Sequence, residues 1–139
     1  ATAESCTGGW IAKCLTDIAG SSDWFDRGFV TYSTAAKQAM LGVRQNTLTE
    51  HGAVSEATVK AMALGAVAHS EATIAVAVSG IAGPTGGSPD KPVGLVWIAW
   101  ALPDGETTAK RFLFTGGREE IRRAAVAEAL KGLIDGVGA

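Results

Sequence analysis

Between Ser21 and Lys37 the chain reads SSDWFDRGFVTYSTAAK, which places a serine pair, one tyrosine and one lysine within seventeen consecutive residues. A serine hydroxyl becomes a nucleophile only when a neighbouring base takes its proton, and a lysine desolvated enough to lose its own proton is such a base. Tyr32 can relay the proton or donate to a developing negative charge. The plainer alternative starts a turn at Ser22, packs Tyr32 at a strand end and leaves Lys37 solvated on a helix. Cys6 is a rival nucleophile, because a thiol beside a helix start tends toward thiolate. Its plainer reading is a small buried thiol. His51 and His69 stand alone, outside any Ser-His-Asp setting.

Three glycine-rich turns complete the polar equipment. Glu4-Ser5-Cys6-Thr7-Gly8-Gly9 runs into the helical pattern that begins at Trp10, and Thr115-Gly116-Gly117-Arg118 opens the last helix. Free amides and the positive helix end suit an anion or an oxyanion at such turns. The third turn, Ser79-Gly80, follows an apolar strand, where open α/β sheets bind ligands. Arg118 adds a fixed cation suited to phosphate or carboxylate. Ordinary helix capping accounts for any one of these turns; three together point to an anionic, nucleotide-sized ligand. The phosphate loop, the dinucleotide fingerprint and the G-x-S-x-G elbow are all absent. Ser88-Pro89-Asp90-Lys91 matches S-x-x-K in letters only, since its prolines oppose the helical turn that motif needs.

Elements must carry these groups. Gly9 to Ala19 predicts a helix with Ile11, Leu15 and Ile18 on one face. Gly28 to Tyr32 reads as a short strand. Ser33 or Thr34 caps a brief helix to Leu41, and Thr47 to Glu50 starts a further turn. Val54-Ser55-Glu56 opens an Ala-rich helix to about Ser70, ending near His69. Thr73 to Val78 is an almost wholly apolar run, expected of a central strand buried on both faces. Leu95–Ala101 and Thr107–Phe114 form a hairpin around Pro103-Asp104-Gly105. The last helix turns Ile121, Ala125, Leu130 and Ile134 inward. Trp10, Trp24, Trp97 and Trp100 are read as core or subunit contacts, with Trp24 also a possible wall for a flat ring. Helices precede, separate and follow strands, so the fold class is α/β: one domain over residues 1–139, an α/β/α sandwich with a mixed sheet.

The 139 residues and 47% hydrophobic content suit one core. A net charge of −2 with 19% charged residues gives no basic field for nucleic acid. No apolar run approaches a membrane span, so neither a nucleic-acid nor a membrane partner is expected. Cys6 and Cys14 have no metal-type spacing and no disulfide framework, which points to a reducing cytoplasm. The chain starts at Ala1 without Met, and a trimmed N-terminus is expected. Glycine is the compositional outlier at 18 residues, clustered at segment junctions in the manner of ligand-handling loops.

Taken in order, Ala3-Glu-Ser-Cys-Thr-Gly-Gly9, Gly28-Phe-Val-Thr-Tyr-Ser33, Lys37, Gly52-Ala-Val-Ser55, Ser79-Gly-Ile-Ala-Gly-Pro84 and Lys91-Pro-Val-Gly-Leu-Val-Trp97 resemble the CinA C-terminal domain family across essentially the whole chain. The resemblance implies hydrolysis of the carboxamide of nicotinamide mononucleotide to nicotinate mononucleotide and ammonia, in pyridine nucleotide salvage. It implies an α/β sandwich, a homodimer or larger assembly, a small nucleotide substrate, and neither metal nor cofactor. Carried onto this sequence, it makes Ser22 the nucleophile, Lys37 its base and Tyr32 a supporting donor. Ser5, Cys6, Thr7, Gly8, Gly9, Ser79, Gly80 and Arg118 become substrate-binding residues. Ser79 stands where many relatives have Thr, and the spacing before Arg118 varies. A non-catalytic nucleotide-binding module, or an amidase of another substrate, are the competing readings.

Overall fold

The computed structural model describes residues 1–138. Its sheet has five strands in the order β2-β1-β3-β4-β5: β1 (Thr2–Glu4), β2 (Gly28–Val30), β3 (Ala75–Gly80), β4 (Leu95–Ala101) and β5 (Thr107–Leu113). β1 pairs in parallel with β2 and β3, while β3, β4 and β5 are antiparallel, so the sheet is mixed as expected. Helices α1 (Trp10–Thr16), α2 (Thr34–Leu41), α3 (Gln45–His51), α4 (Glu56–Ala68) and α5 (Arg118–Gly136) cover its two faces. One core joins α2, α3 and α4 to Ala3, Ala75, Ala77, Ala99 and Ala101. The opposite core packs Ile11 of α1 and Ile121, Ala125, Val126 and Ala129 of α5 on Val76, Val78, Val96 and Ile98. The α/β/α sandwich is therefore present.

Topology explains why the polar turns converge. The chain leaves β1 for β2 on one side and returns past β1 to β3 on the other. Right-handed crossovers place α1 and the α2–α4 group on opposite faces. Their connections diverge at the C-terminal end of β1, the edge where open α/β sheets hold ligands. Ser5, Thr31 and Ser79 all lie at that edge.

Several boundaries differ from the sequence reading. β1 is central and fully buried, yet three residues, one of them Glu4, carry no alternating pattern to announce it. α1 ends at Thr16 rather than Ala19, which leaves Ile18 exposed. The turn expected at Thr47–Glu50 is a helix, Gln45–His51. β3 begins at Ala75, two residues beyond the predicted start. Ile134 and Trp24 are exposed rather than core, whereas Trp100 is buried and donates its indole N–H to the Ala129 carbonyl at 3.0 Å. His69 caps the end of α4 as expected. Gly80 is needed for packing, because a Cβ there would stand 2.6 Å from Val96 Cγ2.

Candidate active site

Lys37 is the most deeply buried of the candidate residues with a titratable amine. It lies on α2, whose first turn is capped by Ser33 Oγ accepting from the Ala36 amide, and α2 packs on α4. That packing drives the Lys37 side chain inward until 1% of it is exposed. Its Nζ donates to Ser5 Oγ at 2.9 Å, to the Thr31 carbonyl at 2.8 Å and to the Tyr32 carbonyl at 3.3 Å. Three acceptors match three ammonium donors, but none is an anion. Loss of hydration is thus uncompensated by a counter-charge, and it pushes the Lys37 pKa down to about 8.

Ser5 is the hydroxyl that meets this amine. It immediately follows β1, with its amide held by the Val78 carbonyl at 3.0 Å. Its Oγ accepts from Lys37 and donates to the Tyr32 carbonyl at 3.3 Å. When Nζ sheds a proton, the remaining N–H groups can keep the two carbonyls, and the Ser5 hydroxyl is free to turn onto the nitrogen lone pair. The arrangement is a serine–lysine dyad.

Ser22 does not join it. That residue lies exposed in a 3₁₀ turn, Ser21–Asp23, and lines a cavity of about 650 Å³ together with Ala1 and Ile74. Ala1 and Ile74 precede β1 and β3, so this cavity opens at the N-terminal strand edge, across the sheet from Lys37. Its lining includes Asp23, Asp26 and Glu71 and no lysine or arginine, a poor setting for a phosphate. The predicted pairing of Ser22 with Lys37 is corrected to Ser5 with Lys37. Closeness in sequence favoured Ser22, whereas parallel pairing of β1 with β2 brings Ser5 beside Thr31 and Tyr32.

The other expected site residues divide in a similar way. Glu4, 1% exposed, accepts from Thr7 Oγ1 at 2.6 Å and from the Ile11 and Ala12 amides at 2.9 and 3.0 Å. The chain's own carboxylate thus fills the anion position predicted at the start of α1. Gly9 offers no side-chain cap there, and Glu4 replaces one from the preceding strand. Gly8 and Gly9 have φ of 60° and 104°, a left-handed run that lets the turn close over Glu4. Thr7 spends its hydroxyl on Glu4, and Ser79 spends its own on the Ala53 carbonyl at 2.8 Å, tying the end of β3 to the loop before α4.

Cys6 is buried, and desolvation pushes its thiol pKa up to about 11, the reverse of the predicted activation. Cys6→Ala is therefore expected to keep most of the wild-type turnover in an ammonia-release assay. Tyr32 is 60% exposed, and its Oη accepts from Arg118 Nη2 at 3.1 Å while Arg118 Nη1 donates to the Gly83 carbonyl at 2.9 Å. Tyr32 and Arg118 so form a polar arch beside the dyad, with guanidinium donors left for an anion. Sequence reasoning did not find Arg122, which lies one turn beyond Arg118 on α5. Its Nε donates to the Cys6 carbonyl at 2.9 Å and its Nη2 to the Thr7 carbonyl at 3.2 Å. The i,i+4 spacing of two arginines on one helix face was the available signal.

The CinA C-terminal domain family model matches residues 1–137. The nicotinamide-nucleotide amidohydrolase PncC of Escherichia coli K12 is 60% identical over 132 residues, covering 95% of this chain and 80% of the relative. The protein of the same name from Pseudomonas putida is 54% identical, with 96% of this chain and 82% of the relative covered. Among solved structures, the competence/damage inducible protein CihA of Agrobacterium tumefaciens superposes with a TM-score of 0.94 at 56% identity, covering 96% of this chain and 82% of that one.

Proposed function

The chain belongs to the CinA C-terminal domain family, and from that premise we propose that it hydrolyses the carboxamide of nicotinamide mononucleotide to nicotinate mononucleotide and ammonia, as a step of NAD salvage. The relatives named as nicotinamide-nucleotide amidohydrolases support the substrate. One observation carries the chemistry: the buried, counter-ion-free Lys37 Nζ at 2.9 Å from Ser5 Oγ.

Neutral Lys37 takes the Ser5 proton as Oγ attacks the carboxamide carbon. The resulting oxyanion needs donors already in place. The Cys6 and Thr7 amides supply them, since no acceptor among the described residues engages either one. Lys37 then returns its proton to the departing nitrogen, the C–N bond breaks and ammonia leaves. Water attacks the Ser5 ester with Lys37 again as base, releasing nicotinate mononucleotide and restoring the hydroxyl. Ser22 has no part in this sequence, because Lys37 lies at the opposite edge of the sheet.

Arg118 holds the phosphate, with Tyr32 fixing the guanidinium across the site mouth. Arg118→Ala is expected to raise KM for nicotinamide mononucleotide by about 10- to 100-fold with a smaller change in kcat. Steady-state kinetics against nicotinamide riboside, which lacks the phosphate, checks it: the variant's penalty should vanish there.

Residues 1–139 form one amidase domain in this reading, and the setting is cytoplasmic. Two unpaired cysteines support a reducing compartment, and no helix among the described residues is long and apolar enough to cross a membrane. A homo-oligomer is favoured by the exposed apolar side chains Val30, Tyr32 and Met40 around the β2 edge. Ammonia release from nicotinamide mononucleotide by purified protein tests the activity; tight binding of nucleotide without ammonia would favour a non-catalytic module.

A further inference from the structure

Arg122 is not part of the dyad and does not face Tyr32, yet it grips the loop that carries the nucleophile. Its planar fork takes two successive carbonyls, Cys6 O and Thr7 O. Trp10 backs the guanidinium, whose central carbon lies 5.6 Å from the ring centroid. A trans peptide points its N–H opposite to its C=O. Fixing the Cys6 carbonyl toward Arg122 therefore turns the Thr7 N–H away from α5. The next peptide is pinned at both ends, since the Thr7 carbonyl meets Arg122 and the Gly8 amide donates to Ser5 O at 3.1 Å. The Thr7 amide, like that of Cys6, is left with no protein acceptor among the described residues, one peptide away from Ser5.

Two glycines directly after Thr7 give this grip its importance. Gly8 and Gly9, at φ of 60° and 104°, offer no side chain to brace the turn that precedes α1. Glu4 restrains the Thr7 side chain and the start of α1, but neither of its oxygens touches the Cys6 or Thr7 carbonyl. The Thr7 carbonyl also accepts from the Trp10 amide at 3.1 Å, but among the described residues Arg122 Nε is the one donor to the Cys6 carbonyl, the group whose direction sets that of the Thr7 N–H.

We propose that Arg122 is a positioning residue for the oxyanion: by holding the Cys6 and Thr7 carbonyls it presents the Thr7 N–H, further polarised by the cation on the same peptide, to the oxygen that becomes negative when Ser5 attacks. This rests on Ser5 being the nucleophile. The donor is aimed at a charge that exists only in the tetrahedral state, so its loss should spare ground-state binding. A lysine at the same position keeps the charge but not the two-pronged fork, and should restore the function only in part.

The test uses Arg122→Gln and Arg122→Lys, with Ser5→Ala alongside. Three quantities are measured: kcat and KM for nicotinamide mononucleotide, the Kd of the product nicotinate mononucleotide, and the Kd of the pyridine-3-carboxaldehyde mononucleotide. The aldehyde adds the Ser5 Oγ to its carbonyl carbon, the hydroxyl proton passing to Lys37, and so forms a tetrahedral adduct with an oxyanion. Arg122→Gln is expected to lower kcat by about 100-fold and aldehyde affinity by a similar factor. KM and product Kd should stay within about threefold, Arg122→Lys should fall between, and the pH at which the rate levels off should not move. Equal losses for product and aldehyde, a raised KM with normal kcat, or unchanged kinetics would each overturn the assignment. Should Arg122→Gln not fold, Arg122→Lys alone decides, through the same ratio of aldehyde to product affinity. If the aldehyde still binds Ser5→Ala tightly, the nucleophile reading fails. If it does not, while both Arg122 variants bind aldehyde like wild type, the positioning role alone fails.

Discussion

Ser5→Ala is expected to lower kcat for ammonia release from nicotinamide mononucleotide by about 10³-fold or more, while Ser22→Ala retains near-normal turnover. The contrast is sharp because the two serines sit at opposite ends of the strands. Ser5 Oγ accepts from Lys37 Nζ at 2.9 Å, and Ser22 is exposed among Asp23, Asp26 and Glu71. Removal of Ser5 deletes the atom that forms the covalent bond, so the residual rate comes only from binding and preorganised donors. Product affinity should survive, because a small hydroxyl contributes little to holding a nucleotide by its phosphate. Equal activity of Ser5→Ala and wild type would remove the dyad from the mechanism. Loss of activity in Ser22→Ala without loss of folding would return the nucleophile to the other edge of the sheet.

Lys37→Met and Lys37→Arg should be equally inactive, each down by about 10³-fold. Arginine keeps the charge but stays protonated at any pH the fold survives. A purely structural need for a buried cation would instead spare Lys37→Arg. Wild-type kcat/KM is expected to rise about tenfold per pH unit below the Lys37 pKa and to level off above about 8, where the amine is neutral. The same burial has a stability signature. The folded pKa, about 8, lies below the ordinary value of 10.5. Between those pH values the unfolded chain binds more protons than the native one, so stability rises with pH across that window. Below pH 8 the full cost of burying the ammonium is present. Relative to Lys37→Met, wild type should therefore gain on the order of 2 kcal/mol between pH 8 and 10.5, measured by urea unfolding at each pH. A flat difference would mean that Lys37 titrates normally.

Much of the sandwich was legible because its longer elements obey simple periods. The apolar run ending at Val78, the hairpin about Asp104 and the Ala-rich helix from Glu56 follow from patterning alone. β1 escaped because three residues carry no period, and its Glu4 looks like a surface residue until its cap on α1 is seen. Lys37 and Tyr32 were legible as candidates. Their partner was not, since the choice between Ser5 and Ser22 depends on which strand lies beside β2, a non-local fact. Residue types at the opening turn point to an anion at the start of α1, and the chain's own Glu4 side chain occupies that position. What remains for a ligand there are the Cys6 and Thr7 amides, and the carbonyl on the Thr7 amide's own peptide is held by Arg122, more than a hundred residues away in sequence.

The central claim is a covalent bond between Ser5 and the substrate's acyl carbon. Acid-quenched turnover of nicotinamide mononucleotide followed by tryptic peptide mass spectrometry tests it directly. Cleavage after Lys13 and Arg27 puts Ser5 in the peptide that ends at Lys13 and Ser22 in Cys14–Arg27. The dyad predicts the mass of an acylated nicotinate mononucleotide on the first peptide, with fragment ions assigning it to Ser5 rather than Cys6. The same mass on the second peptide, or on Cys6, would contradict it.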